Sequence, residues 1–301
     1  MAASVACARA YGCDSECGLL RAVLLHRPGR EIEAIDNPRA VLWADALDPV
    51  KAREQHDALA EVYRAAGVRV HLLDDGLQAR PNLYFVRDTF AMTPHGAILS
   101  HPATASRSGE ESIAAATLAA LGVPIVLAIG GAATFEGADL MIVSRDLALL
   151  ARSGRTNALG AAAVERFLRA AGIGEVVRVA LPASCLHLDC AVSIVDRDLA
   201  LVHPEKAPPG CRDALRRHGF RLLEAPDVAE AERGMSLNLV ALRPGLVVMA
   251  AGNPLTRRAL EGAGVACLEV DVSELMKGAG GIHCMTGVLE RDEVSKSEAN
   301  G

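Results

Sequence analysis

The stretch at residues 146–182, DLALLARSGRTNALGAAAVERFLRAAGIGEVVRVALP, decides how the rest of the chain is read. It opens on a short apolar run, breaks at Ser153-Gly154, and continues into a segment whose Leu, Ala and Val residues recur every three or four positions. Gly172 stops that segment, and a second apolar run rich in valine follows. The sequence thus predicts a strand, an amphipathic helix ended by a left-handed glycine, and a second strand. Outward from this unit the pattern returns four times. AVLLHRPG is followed by AREQHDALAEVYRAAG and VRVHLL, and GAILSHP by EESIAAATLAALG and VPIVLA. DLALVHP is followed by CRDALRRHG and FRLLEAP, and GLVVMAAG by LTRRALEGAG and VACLEVD. Five copies imply a repeat architecture in one domain. A doubly wound sheet shares the alternation, but its glycine-rich G-x-G-x-x-G turn is missing.

Between the units lie segments of a second kind, each able to add a strand: YFVRDTFAMTP, TFEGADLMIVS, CLHLDCAVSIVD, MSLNLVALRP and GGIHCMTGVLER. Four of them place ionisable or nucleophilic residues in apolar surroundings: Arg87 and Asp88, Glu136 and Asp139, His187 and Asp189, His283 and Cys284. Polar groups buried in such runs cost free energy unless they are paired or used. Recurring at equivalent places in successive repeats, they are expected to converge on a common axis as a site.

The chain has 301 residues, 51% hydrophobic and 3% aromatic, with a formal net charge of −6. That balance argues against a nucleic-acid partner, which calls for a basic face or stacking aromatics. No apolar run approaches the ~18 residues of a membrane span. The start, MAASVACARAYGC, lacks the basic and apolar regions of a signal peptide. Eight cysteines are thinly spread, and Cys13/Cys17 and Cys185/Cys190 are spaced too loosely for a zinc ribbon. We therefore expect reduced thiols in a cytoplasmic protein, with Cys190, Cys211 and Cys267 in the core.

The inventory for chemistry is one thiol, one imidazole and several carboxylates. Cys284 follows Gly280-Gly281, where small residues let a ligand approach the backbone. A thiolate needs a cationic or proton-accepting neighbour, and His187 is the best-placed candidate. Clustered carboxylates disfavour the thiolate and an oxyanion, so acyl transfer fits poorly. They suit a cationic substrate, above all a planar guanidinium recognised by paired carboxylates. His187, Asp189 and Cys284 also form a conceivable zinc set, but the short ligand spacings are missing, and neither metal nor cofactor is expected. The blander readings put His26, His56, His71 and His218 on helix or strand surfaces. They pack His283 beside the nucleophile and make Arg87 the partner of a buried carboxylate.

At these same residues a resemblance becomes recognisable. Pro81-Asn82-Leu83-Tyr84-Phe85-Val86-Arg87-Asp88 resembles the PNxxFxRD signature of arginine deiminases, and Phe135-Glu136-Gly137-Ala138-Asp139 their EGGD segment. Ser153-Gly154-Arg155-Thr156-Asn157 is similar to the SxRTN stretch of dimethylarginine dimethylaminohydrolases. Leu186-His187-Leu188-Asp189 and Gly280-Gly281-Ile282-His283-Cys284-Met285-Thr286 complete the set, in the order of the guanidine-modifying enzyme superfamily. The resemblance runs from about Gly18 to Arg291. It implies a five-bladed α/β propeller of ββαβ units with pseudo-fivefold symmetry, in agreement with the five units read from the pattern.

The resemblance also implies roles. Cys284 attacks a guanidinium carbon to give a covalent thiouronium; His187 serves as acid and then base; Glu136 orients His187. Asp88 and Asp189 clamp the guanidinium nitrogens. Arg107 and Arg155 match positions that bind an amino-acid carboxylate, and Asn82 and Phe85 match pocket residues. The implied activity is hydrolysis of arginine or a close derivative to citrulline or its analogue and ammonia. The alternatives are an arginine dihydrolase, a dimethylarginine dimethylaminohydrolase, an amidinotransferase and, as a non-enzyme, a ribosome-associated propeller protein. The chain departs from deiminases in having no room for their helical insertion. It also carries Lys277-Gly278-Ala279 where they often hold an arginine, which points to a derivative of arginine as substrate. Residues 18–291 are expected to be one catalytic domain, with 1–17 and 292–301 poorly ordered, and a homo-oligomer is compatible with the sequence.

Overall fold

The computed structural model describes residues 11–33, 35–73 and 80–294. Its strands fall into five three-stranded sheets, one per unit. In the second blade β3 (Phe90–Thr93) pairs antiparallel with β4 (Gly96–Leu99), helix α2 (Glu110–Ala120) follows, and β5 (Ile125–Ala128) returns parallel to β4. The third blade repeats this with β6 (Leu140–Ser144), β7 (Leu147–Arg152), α3 (Ala158–Ala170) and β8 (Glu175–Ala180). The fourth uses β9 (Val192–Asp196), β10 (Leu199–Val202), α4 (Pro209–Arg217) and β11 (Arg221–Glu224). In the fifth, a short helix α5 (Val228–Glu232) precedes β12 (Val240–Arg243), β13 (Leu246–Ala250), α6 (Pro254–Gly262) and β14 (Ala266–Val270). The first blade is assembled from both ends of the described chain. β1 (Leu20–Leu25) is followed by α1 (Pro49–Ala65) and the parallel β2 (Arg69–Leu72), but its antiparallel partner is β15 (Gly287–Arg291), reached after helix α7 (Ile282–Met285).

The central strands β7 and β10 are apolar and buried along nearly their whole length. Strands buried on both faces read as continuous apolar runs, which is how they were legible in the sequence. The outermost strands β2, β5 and β11 are partly exposed along their length. The innermost strands meet their neighbours, β15 against β3 and β9 against β12, so each blade presents its first strand to the centre. A 3-10 turn precedes three of these strands, at Val86–Asp88, Gly137–Asp139 and Leu188–Cys190, and these turns also pack against one another. The polar residues of the inter-unit segments are carried on these turns and on α7.

Two sequence expectations need correction. Residues 11–17 belong to the packed structure: Asp14, Ser15, Glu16 and Cys17 are buried, and Gly12 bridges to Glu290 in β15. The compact unit therefore begins before Gly18, because this segment covers the seam where β1 and β15 join. At the other end Asp292 is held by Arg21; residues 1–10 and 295–301 lie outside the described residues. His26 and His56 are buried, 3% and 1% exposed, where a surface position was expected. His56 lies on the inner face of α1 with Leu59 and Tyr63, and burial pushes its pKa down to about 3, so it is a neutral core residue. Cys211 is buried as expected, whereas Cys190 and Cys267 are only partly so; all seven described cysteines are free thiols. No helix among the described residues is long and apolar enough to cross a membrane.

Candidate active site

The central turns and α7 deliver their side chains to one small cavity of about 40 Å³. Seven of the nine site residues expected from sequence line it: Asn82, Phe85, Asp88, Arg107, Arg155, His187 and Cys284. Glu136 and Asp189 stand one layer behind, fully buried. Glu136 Oε2 is 2.8 Å from His187 Nε2, the orienting contact its place in the sequence implied. Burial alone would push the imidazole pKa down, but the Asp88 charge, the bond to Glu136 and the Asp139 charge together drive it well up. Burial likewise opposes ionisation of Glu136, and its bond to His187 outweighs this and holds the carboxyl down. The two form an ion pair, so His187 carries a proton at neutral pH.

Two polar atoms in the cavity wall lack partners. His187 Nδ1 and Asp88 Oδ1, both buried, make no hydrogen bond and lie 3.7 Å apart. Buried groups are normally satisfied, so a donor and an acceptor left open side by side mark where a ligand with both functions binds. The other oxygen of Asp88 accepts from Arg107 Nη1.

Cys284 sits on the other side. Cys284 Sγ accepts from Asn238 Nδ2 at 3.1 Å, and its thiol reaches Asp189 Oδ2 at 3.5 Å. Its backbone N–H donates to Asn238 Oδ1 at 3.1 Å. Burial, then the Asp189 and Asp88 charges, push its pKa far up, so without a ligand the group is a neutral thiol. The expected contact between Cys284 and His187 is not among its bonds: Glu136 holds the imidazole on its own side, facing Asp88. Asp189 also accepts from His283 Nδ1 at 2.9 Å, and His283 Nε2 stands 3.6 Å from Glu16. Glu16 in turn pairs with Arg87 Nη2 at 3.3 Å. A buried chain thus runs from the strand-seam segment through Glu16, His283 and Asp189 to the thiol. Burial opposes the charge of Glu16, but Arg87 and His283 hold its pKa down to about 2; Asp189 is held down to about 2 against burial by His283.

Sequence reasoning missed Glu16, because the first residues looked like a loose end, and Asn238, because MSLNLVALRP carries no carboxylate, imidazole or thiol. The place of that segment in the repeat was the one available signal. Arg107, expected to bind a carboxylate, lines the cavity but makes most of its contacts within the protein. It is buried, with Nε and Nη2 on Glu110 Oε2 at 2.8 and 2.7 Å, Nη1 on Asp88, and Nη2 also near the Asn82 and Phe85 carbonyls. Its donors are largely committed to the protein, and it positions Asp88. Arg155 is held more loosely, 3.5 Å from Glu136 and 3.4 Å from Thr104, and keeps its guanidinium toward the cavity. Asn82 spends its amide on Trp43 and the Val41 carbonyl, each at 2.7 Å, and so fixes the loop that brings Leu42 to the cavity. Phe85 packs over Gly278 and Gly280, where a Cβ would overlap the Tyr84 and Phe85 rings. Arg87 is the buried carboxylate partner the blander reading described.

Asp88, Glu136 and His187 bring ligand atoms within 4.8 Å of one another, a different trio from the zinc set considered above. Arg107 and Arg155 already neutralise its two carboxylates, which disfavours a dication there.

Comparison with known proteins places these residues in context. The family model for arginine deiminase matches residues 77–209 and 209–291. A dimethylarginine dimethylaminohydrolase of Pseudomonas aeruginosa is 31% identical over 241 residues, covering 79% of this chain and 89% of that protein. An arginine deiminase of Clostridium perfringens is 25% identical over 412 aligned positions, covering 95% of this chain and 99% of that enzyme. The alignment is longer than this chain, so the deiminase carries sequence that this chain lacks. Among solved structures, a cysteine-to-serine mutant of the Pseudomonas aeruginosa dimethylarginine dimethylaminohydrolase, complexed with citrulline, superposes with a TM-score of 0.76. It is 28% identical and covers 91% of this chain and 100% of that one.

Proposed function

The chain belongs to the arginine deiminase family of guanidino-group hydrolases, and from that premise we propose that it hydrolyses the guanidine of arginine or a close derivative to citrulline, or its analogue, and an amine. The observation that carries this reading is the pair of open atoms, Asp88 Oδ1 and His187 Nδ1, across the cavity from a neutral thiol ringed by carboxylates. A guanidinium supplies N–H donors for Asp88, and its positive charge offsets the carboxylates that hold the Cys284 proton in place. Arg155 takes the substrate carboxylate.

As the thiol loses its proton to Asp189 or to solvent, Sγ bonds to the guanidinium carbon. The protonated His187 donates from Nδ1 to the departing nitrogen, the C–N bond breaks, and a thiouronium remains on Cys284. The imidazole, now neutral, takes a proton from water. The oxygen attacks the same carbon, the C–S bond breaks, and the product leaves with its ureido group. His187 enters this sequence already charged, as acid first. Glu136 holds it so, and Arg107 holds Asp88.

A second reading, hydrolysis of an Nω-methylated arginine with release of a methylamine, is favoured by the relative of 31% identity. The test is amino-acid and amine analysis after incubation with arginine and with mono- and dimethylarginine. Citrulline with ammonia supports hydrolysis of arginine itself and citrulline with a methylamine the second reading; formation of neither removes arginine and the methylarginines as substrates. Cys284→Ser is expected to abolish turnover and change stability by less than about 1 kcal/mol; a variant that retains full turnover removes Cys284 from the reaction.

A further inference from the structure

A second cavity of about 210 Å³, five times the first, lies directly behind the catalytic one. Leu186, Ala279 and Gly280 border both. Two residues that reach the nucleophile's surroundings also face into the second cavity. Asn238 donates to Cys284 Sγ, and the Cys190 thiol lies 3.6 Å from the Asp189 carboxylate that contacts Sγ. None of the chemistry described above uses this space.

Its polar lining is specific. His203 is 1% exposed. Its Nδ1 accepts the backbone N–H groups of Glu205 and Lys206 at 3.1 and 3.2 Å, which fixes the neutral ring with its proton on Nε2. That Nε2 is buried and has no hydrogen-bond partner. An N–H left unpaired in the interior is costly and marks the place of an acceptor. Beside it is Lys206, whose ammonium lies 2.8 Å from Glu232. Glu232, 44% exposed at its side chain, is held at the solvent edge, so Lys206 can share its charge with a second anion. Met235, Leu237 and Ala231 supply an apolar floor. A neutral N–H donor next to an ammonium, above an apolar floor, fits a carboxylate on a short alkyl arm.

We propose that this cavity receives a substituent on the departing guanidine nitrogen, an arm whose carboxylate accepts from His203 Nε2–H and Lys206. The proposal rests on the hydrolytic reading above and narrows its substrate class to carboxyalkyl-substituted guanidines. Leu186, 39% exposed, is the side chain on the partition with room to turn aside for the arm. Sγ bonds to the guanidinium carbon and the bond from carbon to the substituted nitrogen breaks. That nitrogen keeps the electron pair, takes the His187 proton and leaves as an amino acid. Water then supplies the new C–O bond as the C–S bond breaks, and its proton returns to His187.

The test uses Nω-carboxymethyl- and Nω-carboxypropyl-L-arginine, each against its uncharged carboxamide. Release of glycine or γ-aminobutyrate, or of the matching amide, gives kcat/KM, and calorimetry on the Cys284→Ser protein gives Kd. At least one acid is expected to be preferred over its amide by about 10-fold or more in both measurements, the scale of a charge-assisted hydrogen bond. Lys206→Met is expected to bring that ratio close to one, and His203→Phe to lower it; a ratio within one protein is insensitive to the fraction folded. Equal treatment of acid and amide by the wild type, or a preference that survives Lys206→Met, overturns the proposal. Preferential binding without turnover of any guanidine leaves the cavity assignment standing and removes the hydrolytic reading. Arginine hydrolysis with no preference for the acids does the reverse.

Discussion

Glu136→Gln keeps the shape of a side chain and removes its charge, and the effect on His187 can be worked out from the geometry. Oε2 lies 2.8 Å from Nε2, and both side chains are 1% exposed. With charge centres about 4 Å apart and an effective dielectric constant of about 20, one unit charge contributes on the order of 4 kcal/mol, or about 3 pK units. Asp88, 3.7 Å from Nδ1, stays in place and keeps part of the upward shift. The imidazole pKa is therefore expected to fall by roughly 2–3 units in the variant, toward its ordinary value of about 6.5. In the proposed mechanism His187 acts first as an acid, so the alkaline limb of the kcat profile with arginine should move down by the same amount. From a folded-state pKa of about 10, that shift leaves the imidazole at about 7–8, so at pH 8 turnover should fall by about 2- to 10-fold, and lowering the pH toward 6 should recover much of it. The pH–rate profile measures this, and NMR titration of the imidazole checks the assignment independently. A limb that does not move, or a loss that is equal at every pH, refutes the ion pair as the source of the proton.

Gly281→Ala places a Cβ 2.8 Å from Asn238 Oδ1 and 2.9 Å from its Cβ. It should shift the amide that holds Cys284 and cost about 10- to 100-fold in kcat with circular dichroism unchanged. Arg87→Met leaves Glu16 buried without its guanidinium, and denaturant unfolding should show a loss of about 3–5 kcal/mol. Glu16 and Asp189 titrate at about 2 in the folded protein against about 4 in an unfolded chain, so the stability they contribute is present above pH 4 and lost as the pH falls toward 2. Melting temperatures between pH 6 and 3 should therefore drop steeply below 4, and the drop should shrink in Glu16→Gln.

The five units were legible because each central strand is buried on both faces and each helix on one, and burial writes period and composition directly into the chain. For α3 the structure places the helix at Ala158–Ala170, within the periodic segment that Gly172 stops. Where α1 begins was harder to read: it starts at Pro49, three residues before the expected start, capped by Asp48. The closure of the first blade was not legible, because the pairing of β1 with β15 spans more than 260 residues and leaves no local pattern. Within the site, residues whose charge must be buried stood out against apolar neighbours, as Asp88, Glu136, His187 and Asp189 did. Asn238 did not, since its neutral amide has no charge to stand out among leucines and resembles a turn residue. Arg107 shows the opposite limit: its place in a motif was legible, but its commitment to Glu110 and Asp88 depends on tertiary packing.

The pairing of β1 with β15 sets an order on events during synthesis. A ribosome completes four blades before it makes the strand that joins the last to the first, and Cys284 lies three residues ahead of that strand. The nascent chain then holds finished sheets with an open edge at β1 and an incomplete central cluster, because Asp189 still awaits His283 and the thiol. Contacts between such distant parts of a chain form slowly. Ring closure and the arrival of Cys284 are therefore a single late step, so on the proposed mechanism a partly made chain is inactive.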